Sequence, residues 1–346
     1  MQDYFENEIS CPKWLCDDTS VSDVVLGGEV LFIRNLADTP FPLALPEDKR
    51  EQIGENLSDE LENYFENHFP LNKLQIQDRY YYWERFLLPY PLIVHPEYGH
   101  LLLDSDETLS AVVNGLDHIS VRYLMNDIDF DSMLDGTEDI IGQLGEKFDW
   151  ATHSQFGYLS SNPANCGAGV ILSAFCHIAG TVIANKFDHL RDIAKAHGLG
   201  IGNLWGQGLD TGSSFVRIYT KHLVGKTAEQ LKNNIMIALD AIIELERDSR
   251  EYLLYESEIF LKDKINRAYG TVAYANLLER WEFPNLLSSF RLGASMSILP
   301  ISVRTVDELL ILGQQAHITK QFPDIESPLD ILKMRAKLVR EKLAIL

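Results

Sequence analysis

Three short apolar runs between residues 100 and 124 constrain the fold more than any other part of the sequence. The runs HLLL, TLSAVV and HISVRYL are rich in Leu, Val and Ile, and the segments DSDE and NGLD separate them. Such punctuation is typical of antiparallel hairpins. Residues 156–180 continue with a Pro/Gly turn and a further buried apolar segment. The sequence therefore predicts a mainly antiparallel sheet.

Helical patterns flank these strands. Residues 48–68 are charged with apolar positions at helical spacing, and residues 228–262 carry Leu231, Ile235 and Leu239 on one helical face. Three or four further helical stretches follow, separated by WEFPN and QFPDIESP. The predicted fold class is α/β (α+β), a mainly antiparallel sheet flanked by helices. We expect the following division: N-terminal segment 1–20, sheet domain 21–262 and helical module 263–346.

The charge of the chain limits its partners. It has 51 acidic and 30 basic residues and a formal net charge of −21, a surface field that repels nucleic acid and anionic membrane surfaces. No run of 18 apolar residues and no cationic leader before an apolar core is present. We therefore expect a cytoplasmic protein. Its acidic surface suits a basic protein partner, although most such surfaces serve only solubility.

Cysteine spacing and glycine motifs predict no metal or classical nucleotide loop. Cys11 and Cys16 have no further ligands nearby, and we expect all four cysteines to be reduced thiols. The segment GLGIGN at 198–203 lacks the third glycine of a dinucleotide fingerprint. Gly225-Lys226-Thr227 resembles the end of a phosphate-binding loop, but Thr220 stands where its first glycine is required.

Residues 23–42, DVVLGGEVLFIRNLADTPFP, resemble the opening signature of the ATP:guanidino phosphotransferases, the family of arginine kinase, creatine kinase and bacterial protein arginine kinase. The residues that fit that signature are Val25, Leu26, Val30, Arg34, Asn35, Leu36, Pro40, Phe41 and Pro42. The two arginines that hold ATP phosphates in the family fall on Glu29 and Leu31.

The second block, NGLDHIS at 114–120, is similar to the family's NEEDHIR. Leu116 replaces the glutamate that grips the substrate guanidinium, and Ser120 replaces a nucleotide-binding arginine. Arg122 lies two residues further along the predicted strand, on the same side if the strand is regular. We consider it either a partial substitute for the lost arginine or a solvent-exposed strand residue.

The third block, GYLSSNPANCGAG at 157–169, matches the family's GYLTSCPTNLGTG at eight of thirteen positions. Asn162 replaces the active-site cysteine, and Ile171 replaces the next phosphate-binding arginine. Cys166 is expected to be a core cysteine that does not restore the lost thiol. The fourth block, GNLWGQGLDTG at 202–212, is weaker. There Gly202 replaces the last nucleotide arginine and Gln207 the second substrate-binding glutamate.

The C-terminal segments RAYG (267–270), LLSSFRLG (286–293) and RAKLVREKL (335–343) resemble the helical dimerisation region of bacterial protein arginine kinase. That likeness implies a guanidino-kinase catalytic fold, a helical dimerisation domain and a homodimer. It also suggests a zinc-binding activator or a Clp protease component as partner. Of the family's secondary phosphoarginine pocket, the aligned segment 331–336 keeps only Arg335 and Ala336.

Phosphoryl transfer depends on positioning and on neutralising phosphate charge. The five arginine positions here hold four neutral residues and one anion, so we predict a catalytically inactive scaffold or binding partner with no cofactor. One alternative is an active, Mg-ATP-dependent protein arginine kinase that uses relocated residues such as Arg122 and Arg217. Another is a binder of some other small ligand in the emptied pocket.

Overall fold

The computed structural model describes residues 9–16, 22–204, 214–322, 324–325 and 327–343. Within them, eight strands form one sheet in the order β2-β3-β4-β5-β1-β8-β10-β9, and every neighbouring pair is antiparallel. Two short strands pair separately as β6-β7. The strands are β1 (Val25–Arg34), β2 (Asn67–Pro70), β3 (His100–Leu103), β4 (Leu109–Val113), β5 (Ile119–Met125), β6 (Thr152–His153), β7 (Gly157–Tyr158), β8 (Val170–His177), β9 (Leu199–Asn203) and β10 (Phe215–Thr220). The predicted antiparallel sheet is confirmed.

Helices surround the sheet and form the C-terminal module. In the described residues they are α1 (Lys13–Cys16), α2 (Glu47–Leu61), α3 (Ile76–Glu84), α4 (Pro91–Val94), α5 (Phe130–Gly145), α6 (Ala179–Ile183), α7 (Phe187–Ala196), α8 (Ala228–Glu256), α9 (Glu258–Tyr274), α10 (Phe283–Ser295), α11 (Val303–Leu312), α12 (Gln315–Gln321) and α13 (Pro328–Lys342). The predicted helix over 48–68 is shorter in the structure: it ends at Leu61, and its last predicted residues, from Asn67, belong to β2. None of these helices combines the length and apolar character needed to cross a membrane.

The long helical pattern after residue 228 is two helices. A capping box of Thr227 and Gln230 begins α8, and Ser257 separates it from α9. Residue 262, our predicted domain boundary, lies inside α9. The two family-like regions therefore meet in a nearly continuous pair of helices, and the boundary itself stays a prediction.

The two faces of the sheet have different surroundings. Side chains such as Val30, Leu172 and Ile218 share a buried core with apolar residues of α5 and α8. Because side chains alternate along a strand, the neighbouring residues on each strand, such as Leu31, Ile171 and Arg217, point to the opposite face. That second face carries the positions predicted to hold nucleotide.

The C-terminal module packs directly against the sheet domain. Arg291 on α10 is fully buried, pairs with Asp307 (Nε–Oδ1 2.7 Å) and donates to the backbone carbonyls of Asp23 (2.7 Å) and Ser22 (3.0 Å). At a second contact, between α3 and α12, the Glu84 carboxylate accepts hydrogen bonds from the backbone N–H groups of Ala316 and His317. The module is thus held by buried, charge-assisted bonds as well as by apolar contact.

Candidate functional site

The five predicted nucleotide positions share one face of the sheet. Leu31 pairs directly with Ile171 on β8, and Ile33 pairs with Ser120 on β5. Glu29 pairs with Ser173, and Arg217 pairs with Gly202. Directly opposed residues point to the same side, so the register brings Glu29, Leu31, Ser120, Ile171 and Gly202 to a single surface.

A buried charge cluster lies in the middle of this face. The Glu29 side chain is 4% exposed, and its Oε1 lies 2.8 Å from Nε of Arg122. Its Oε2 pairs with Nη2 of Arg217 and accepts a hydrogen bond from the Ser173 hydroxyl (3.0 Å). Ser173 Oγ in turn accepts bonds from Nε (3.0 Å) and Nη2 (2.9 Å) of Arg217. One carboxylate thus binds two guanidinium groups and a hydroxyl.

The carboxylate of this cluster is held in its charged form. Burial alone raises the pKa of Glu29, but the attraction of Arg217 and Arg122 and the Ser173 hydrogen bond outweigh it, so the pKa lies below its ordinary value. Two cations and one anion leave the cluster with a net charge of about +1 at neutral pH. The charge of Glu29 is therefore matched within the chain.

Arg122 lies in the buried charge cluster, and its use as a partial substitute for the lost arginine stays a prediction. Its side chain is only 14% exposed, so the solvent-exposed interpretation is wrong. Its Nη1 donates a hydrogen bond to the Phe86 carbonyl. Arg217 is 25% exposed, and its head group also faces Glu29 and Ser173. Both candidate substitutes for the lost arginines are therefore engaged within the chain.

The retained residues of the NGLDH block hold backbone in place. Asn35 donates to Asp117 (2.7 Å), and Asp117 accepts from the Ser161 N–H (2.7 Å), which ties this loop to the third block. Nδ1 of His118 lies 3.0 Å from Oδ1 of Asn35, and burial lowers the pKa of His118 to about 4. Asn114 adopts φ 52° and donates to the carbonyls of residues 50 and 98. These hydrogen bonds fix the conformation of the loop at 114–118.

The glycines kept in the third block are required by close backbone approach. Gly167 has φ 132°, and a Cβ there would lie 2.2 Å from the backbone carbon of Leu223. Gly169 has φ 67°, and its carbonyl accepts from Nη1 of Arg34 (2.7 Å). The guanidinium of Arg34 lies 3.6 Å from the centroid of the Tyr158 ring. Thus Arg34, an arginine of the opening signature that this chain keeps, stabilises the loop of the third block.

The substrate-side positions carry no acid or nucleophile among the described residues. Leu116 is 46% exposed, and Asn162 is an exposed cap whose Oδ1 accepts from the Ala164 N–H (3.1 Å). Gln207 lies outside the described residues. Cys166 is half-buried, rather than a core residue as expected, and its Sγ accepts from the Ser160 N–H (3.4 Å).

The expectation of four reduced cysteines is wrong for one pair. Cys11 and Cys16 form a disulfide across α1, with their Cα atoms 6.1 Å apart, while Cys166 and Cys176 are free. Spacing alone did not predict this bond, because it depends on the turn of helix between the two residues. In the described part of the chain, no group of three His, Cys, Asp or Glu side chains is arranged to hold a metal ion.

Sequence reasoning missed the cluster as a unit. It named Glu29, Arg122 and Arg217 separately and did not include Ser173. Glu29 and Arg217 are 188 residues apart, and only the pairing of β1 with β8 and β8 with β10 brings them together. A usable signal was present: an acid in place of an expected arginine, with extra arginines on neighbouring strands.

Comparisons with known proteins identify the family of this chain. Residues 49–249 match the family model described as ATP:guanido phosphotransferase, C-terminal catalytic domain, and residues 258–346 match the protein-arginine kinase McsB C-terminal domain. The chain belongs to the ATP:guanido phosphotransferase family. Among curated members, the protein-arginine kinase of Bacillus cereus strain AH187 is 27% identical, with 99% of this chain and 98% of the relative aligned. The protein-arginine kinase of Shouchella clausii strain KSM-K16 is 25% identical, over 98% and 96% of the two chains.

Solved structures of two kinases share the fold. The duplicated taurocyamine kinase of Schistosoma mansoni with bound transition-state-analogue components has a TM-score of 0.60 at 17% identity, covering 80% of this chain and 43% of that one. A lombricine kinase has a TM-score of 0.56 at 16% identity, covering 70% and 72%. The predicted guanidino-kinase fold and family resemblance are confirmed.

Proposed function

We propose that this chain is a non-catalytic member of the protein-arginine kinase family that acts as a dimeric scaffold or regulatory binding partner. The observation that carries the proposal is the pairing of Glu29 with both Arg122 and Arg217. The nucleotide face has lost its family arginines, and the two nearby cations that could replace them are bound to an internal carboxylate.

The expected loss of nucleotide affinity is large. Each charge-assisted hydrogen bond to phosphate contributes on the order of 1.5–3 kcal/mol. Leu31 and Ile171, which face each other on this surface, offer only apolar side chains where the family has arginine. Even with strong non-additivity, losing several such bonds weakens binding by tenfold for each ~1.4 kcal/mol. We therefore expect no Mg-ATP binding at micromolar or low millimolar concentration.

The substrate side supports the same proposal. A guanidinium needs a carboxylate to orient its nitrogen and to accept its proton. Leu116 and Gln207 stand at the two carboxylate positions, and Asn162 stands at the cysteine position. An arginine side chain placed there would meet neither an anion nor a base from these three residues.

A melting-temperature series tests the proposal. We expect no shift with Mg-ATP, Mg-ADP or phosphoarginine, whereas a ligand at 100 times its dissociation constant stabilises a protein by ~2.7 kcal/mol. The Bacillus cereus relative, assayed alongside, is the positive control. A shift with Mg-ATP at micromolar concentration would refute the proposal.

The alternative is an active protein arginine kinase that uses Arg122 and Arg217 with Mg-ATP. It requires Glu29 to release both arginines when nucleotide binds. Its product would be phosphoarginine on a basic protein, detectable by mass spectrometry under non-acidic handling. We expect none, with or without a candidate activator.

The dimer is proposed on an exposed apolar surface. Tyr255, Ile259 and Phe260, at the junction of α8 and α9, are 87%, 81% and 79% exposed, unusual for such large apolar side chains. By contrast, most of the family-like segment Leu286–Gly293 is buried within the chain, so its retention is explained by internal packing. We propose the α8–α9 junction as the dimer surface.

The remaining expectations about partners and location stay proposals. A zinc-binding activator or a Clp protease component is suggested by the family resemblance, and a basic partner suits the net charge of −21. A cytoplasmic location is expected, although a disulfide such as Cys11–Cys16 is uncommon in that compartment. Co-purification with the product of a neighbouring CxxC-rich gene would support the activator, and its absence would favour another partner.

A further inference from the structure

The cluster around Glu29 has the composition of an oxyanion-binding site. Arg217 presents Nε and Nη2 towards the Ser173 hydroxyl and the carboxylate. Arg122 forms an ion pair with the carboxylate from the other side, and its buried Nε, 2.8 Å from Oε1, has no hydrogen-bond partner among the described residues. Forked guanidinium donors and a hydroxyl bind phosphate and sulfate as readily as they bind a carboxylate. We propose that Arg122, Arg217 and Ser173 form an oxyanion-binding site whose resident ligand is the chain's own Glu29 carboxylate.

The strand register fixes this internal ligand in place. Glu29 pairs directly with Ser173, and the next residue on its face, Leu31, pairs with Arg122. The two arginines thus approach the carboxylate from strands on opposite sides of β1. Since the Glu29 side chain is 4% exposed and that of Arg217 is 25% exposed, the site reaches solvent at Arg217.

The two arginine charges determine how the site responds when the Glu29 carboxylate is removed. Two largely buried guanidinium groups without an anion are strongly unfavourable, so the site gains affinity for any small anion that fits. The space left by a glutamate side chain suits a compact tetrahedral oxyanion, such as inorganic phosphate or sulfate. The affinity for a nucleotide rises less, because Leu31 and Ile171 provide no hydrogen-bond donors for its further phosphate groups.

The inference rests on the proposed function, but its test uses a different variant, Glu29→Ala, whereas the proposed function is tested on the wild type. Phosphate titrated against this variant, with chloride at matched ionic strength as the reference, is expected to bind at least about tenfold more tightly than it binds the wild type, a difference of ~1.4 kcal/mol. Calorimetry gives the affinity, and the melting temperature gives an independent reading.

Three control variants isolate the cause of the gain. Glu29→Gln removes the charge but keeps the side-chain volume, and we expect little or no gain. Glu29→Ala with Arg217→Leu should lose the gain. Glu107→Ala removes another buried carboxylate, one that pairs with Arg85 outside the cluster, and we expect no specific response to phosphate.

Several results would overturn the inference. They are equal phosphate affinity of folded Glu29→Ala and wild type, an unchanged gain in the double variant, or an equal gain in Glu107→Ala. If Glu29→Ala folds only with phosphate, that rescue supports the inference. If it does not fold at all, Glu29→Asp, whose carboxylate is one methylene shorter, must show a larger phosphate-induced rise in melting temperature than the wild type. The proposed function fails instead if the wild type binds Mg-ATP.

Discussion

At the scale of single residues, several family-like side chains hold backbone in place, and we propose that the positions that hold ligands in the family no longer do so here. Asn35, Asp117 and Arg34 are family-like, and each is bonded to loop atoms. Glu29 and Ile171 depart from the family pattern on the nucleotide face. Arg122 and Arg217 both pair with Glu29, so the charge at this position is matched.

Removing the Glu29 charge should be costly for folding. In Glu29→Gln, both guanidinium groups lose their anion while staying largely buried, and we expect a loss of about 3–5 kcal/mol in the free energy of unfolding. Urea denaturation with an unchanged m-value measures it. Glu62→Gln, which changes a half-exposed carboxylate beside His68, should alter stability by less than about 1 kcal/mol. A loss below 1 kcal/mol in Glu29→Gln would show that the cluster is not a closed ion network.

His118 should make stability depend on pH. Burial lowers its pKa to about 4, whereas an unfolded histidine has a pKa of about 6.5. Between these values the unfolded state binds a proton that the folded state does not, so stability should fall as the pH is lowered from about 6.5 to about 4.

The His118 prediction is checked by following thermal unfolding across that pH range. The stability difference between the wild type and His118→Asn should shrink as the pH falls. His95→Asn, at an exposed position, should leave the pH profile of the wild type unchanged. A difference that is constant with pH would contradict the assigned role of His118.

At the scale of elements, local pattern was enough for the three strands between residues 100 and 125 and not for helix ends. The runs at 100–103, 109–113 and 119–125 are strands because apolar residues and turn formers alternate clearly there. The break at Ser257 was missed because apolar periodicity continues across it, with Leu253 and Leu261 both buried. The disulfide and the charge cluster were missed because they depend on contacts that periodicity does not encode.

Two glycines make a matched test of the third block. Gly167→Ala should destabilise the chain by about 1–3 kcal/mol or more, because φ is 132° and the new Cβ would meet the backbone at residue 223. Gly142→Ala lies in helix α5 with open space around it and should stabilise by about 0.5–1 kcal/mol. Chemical denaturation of both variants gives the comparison. Equal effects would mean that Gly167 is not needed for close approach.

At the scale of the whole molecule, one of the two buried cores joins the sheet to the C-terminal helices. Side chains as distant in sequence as Trp14, Phe175 and Leu309 belong to it. The exposed apolar residues at the α8–α9 junction lie outside that core, which is the basis for proposing a dimer surface there.

Light scattering tests the dimer. We expect a mass about twice the 39.3 kDa of one chain, and a single-chain mass for Tyr255→Ser combined with Phe260→Ser, because two anchors of the apolar surface are lost. Leu43→Ser, at another exposed apolar position, should leave the mass unchanged. A wild type that stays at single-chain mass, or a double variant that stays dimeric, would contradict the proposed surface.

The central claim is that the nucleotide face no longer binds nucleotide. Isothermal titration of Mg-ATP into the wild-type protein tests it most directly, with the Bacillus cereus relative titrated under the same conditions. We predict no saturable heat for this chain at low millimolar nucleotide and a clear isotherm for the relative. A saturable isotherm with a micromolar dissociation constant for this chain would contradict the claim.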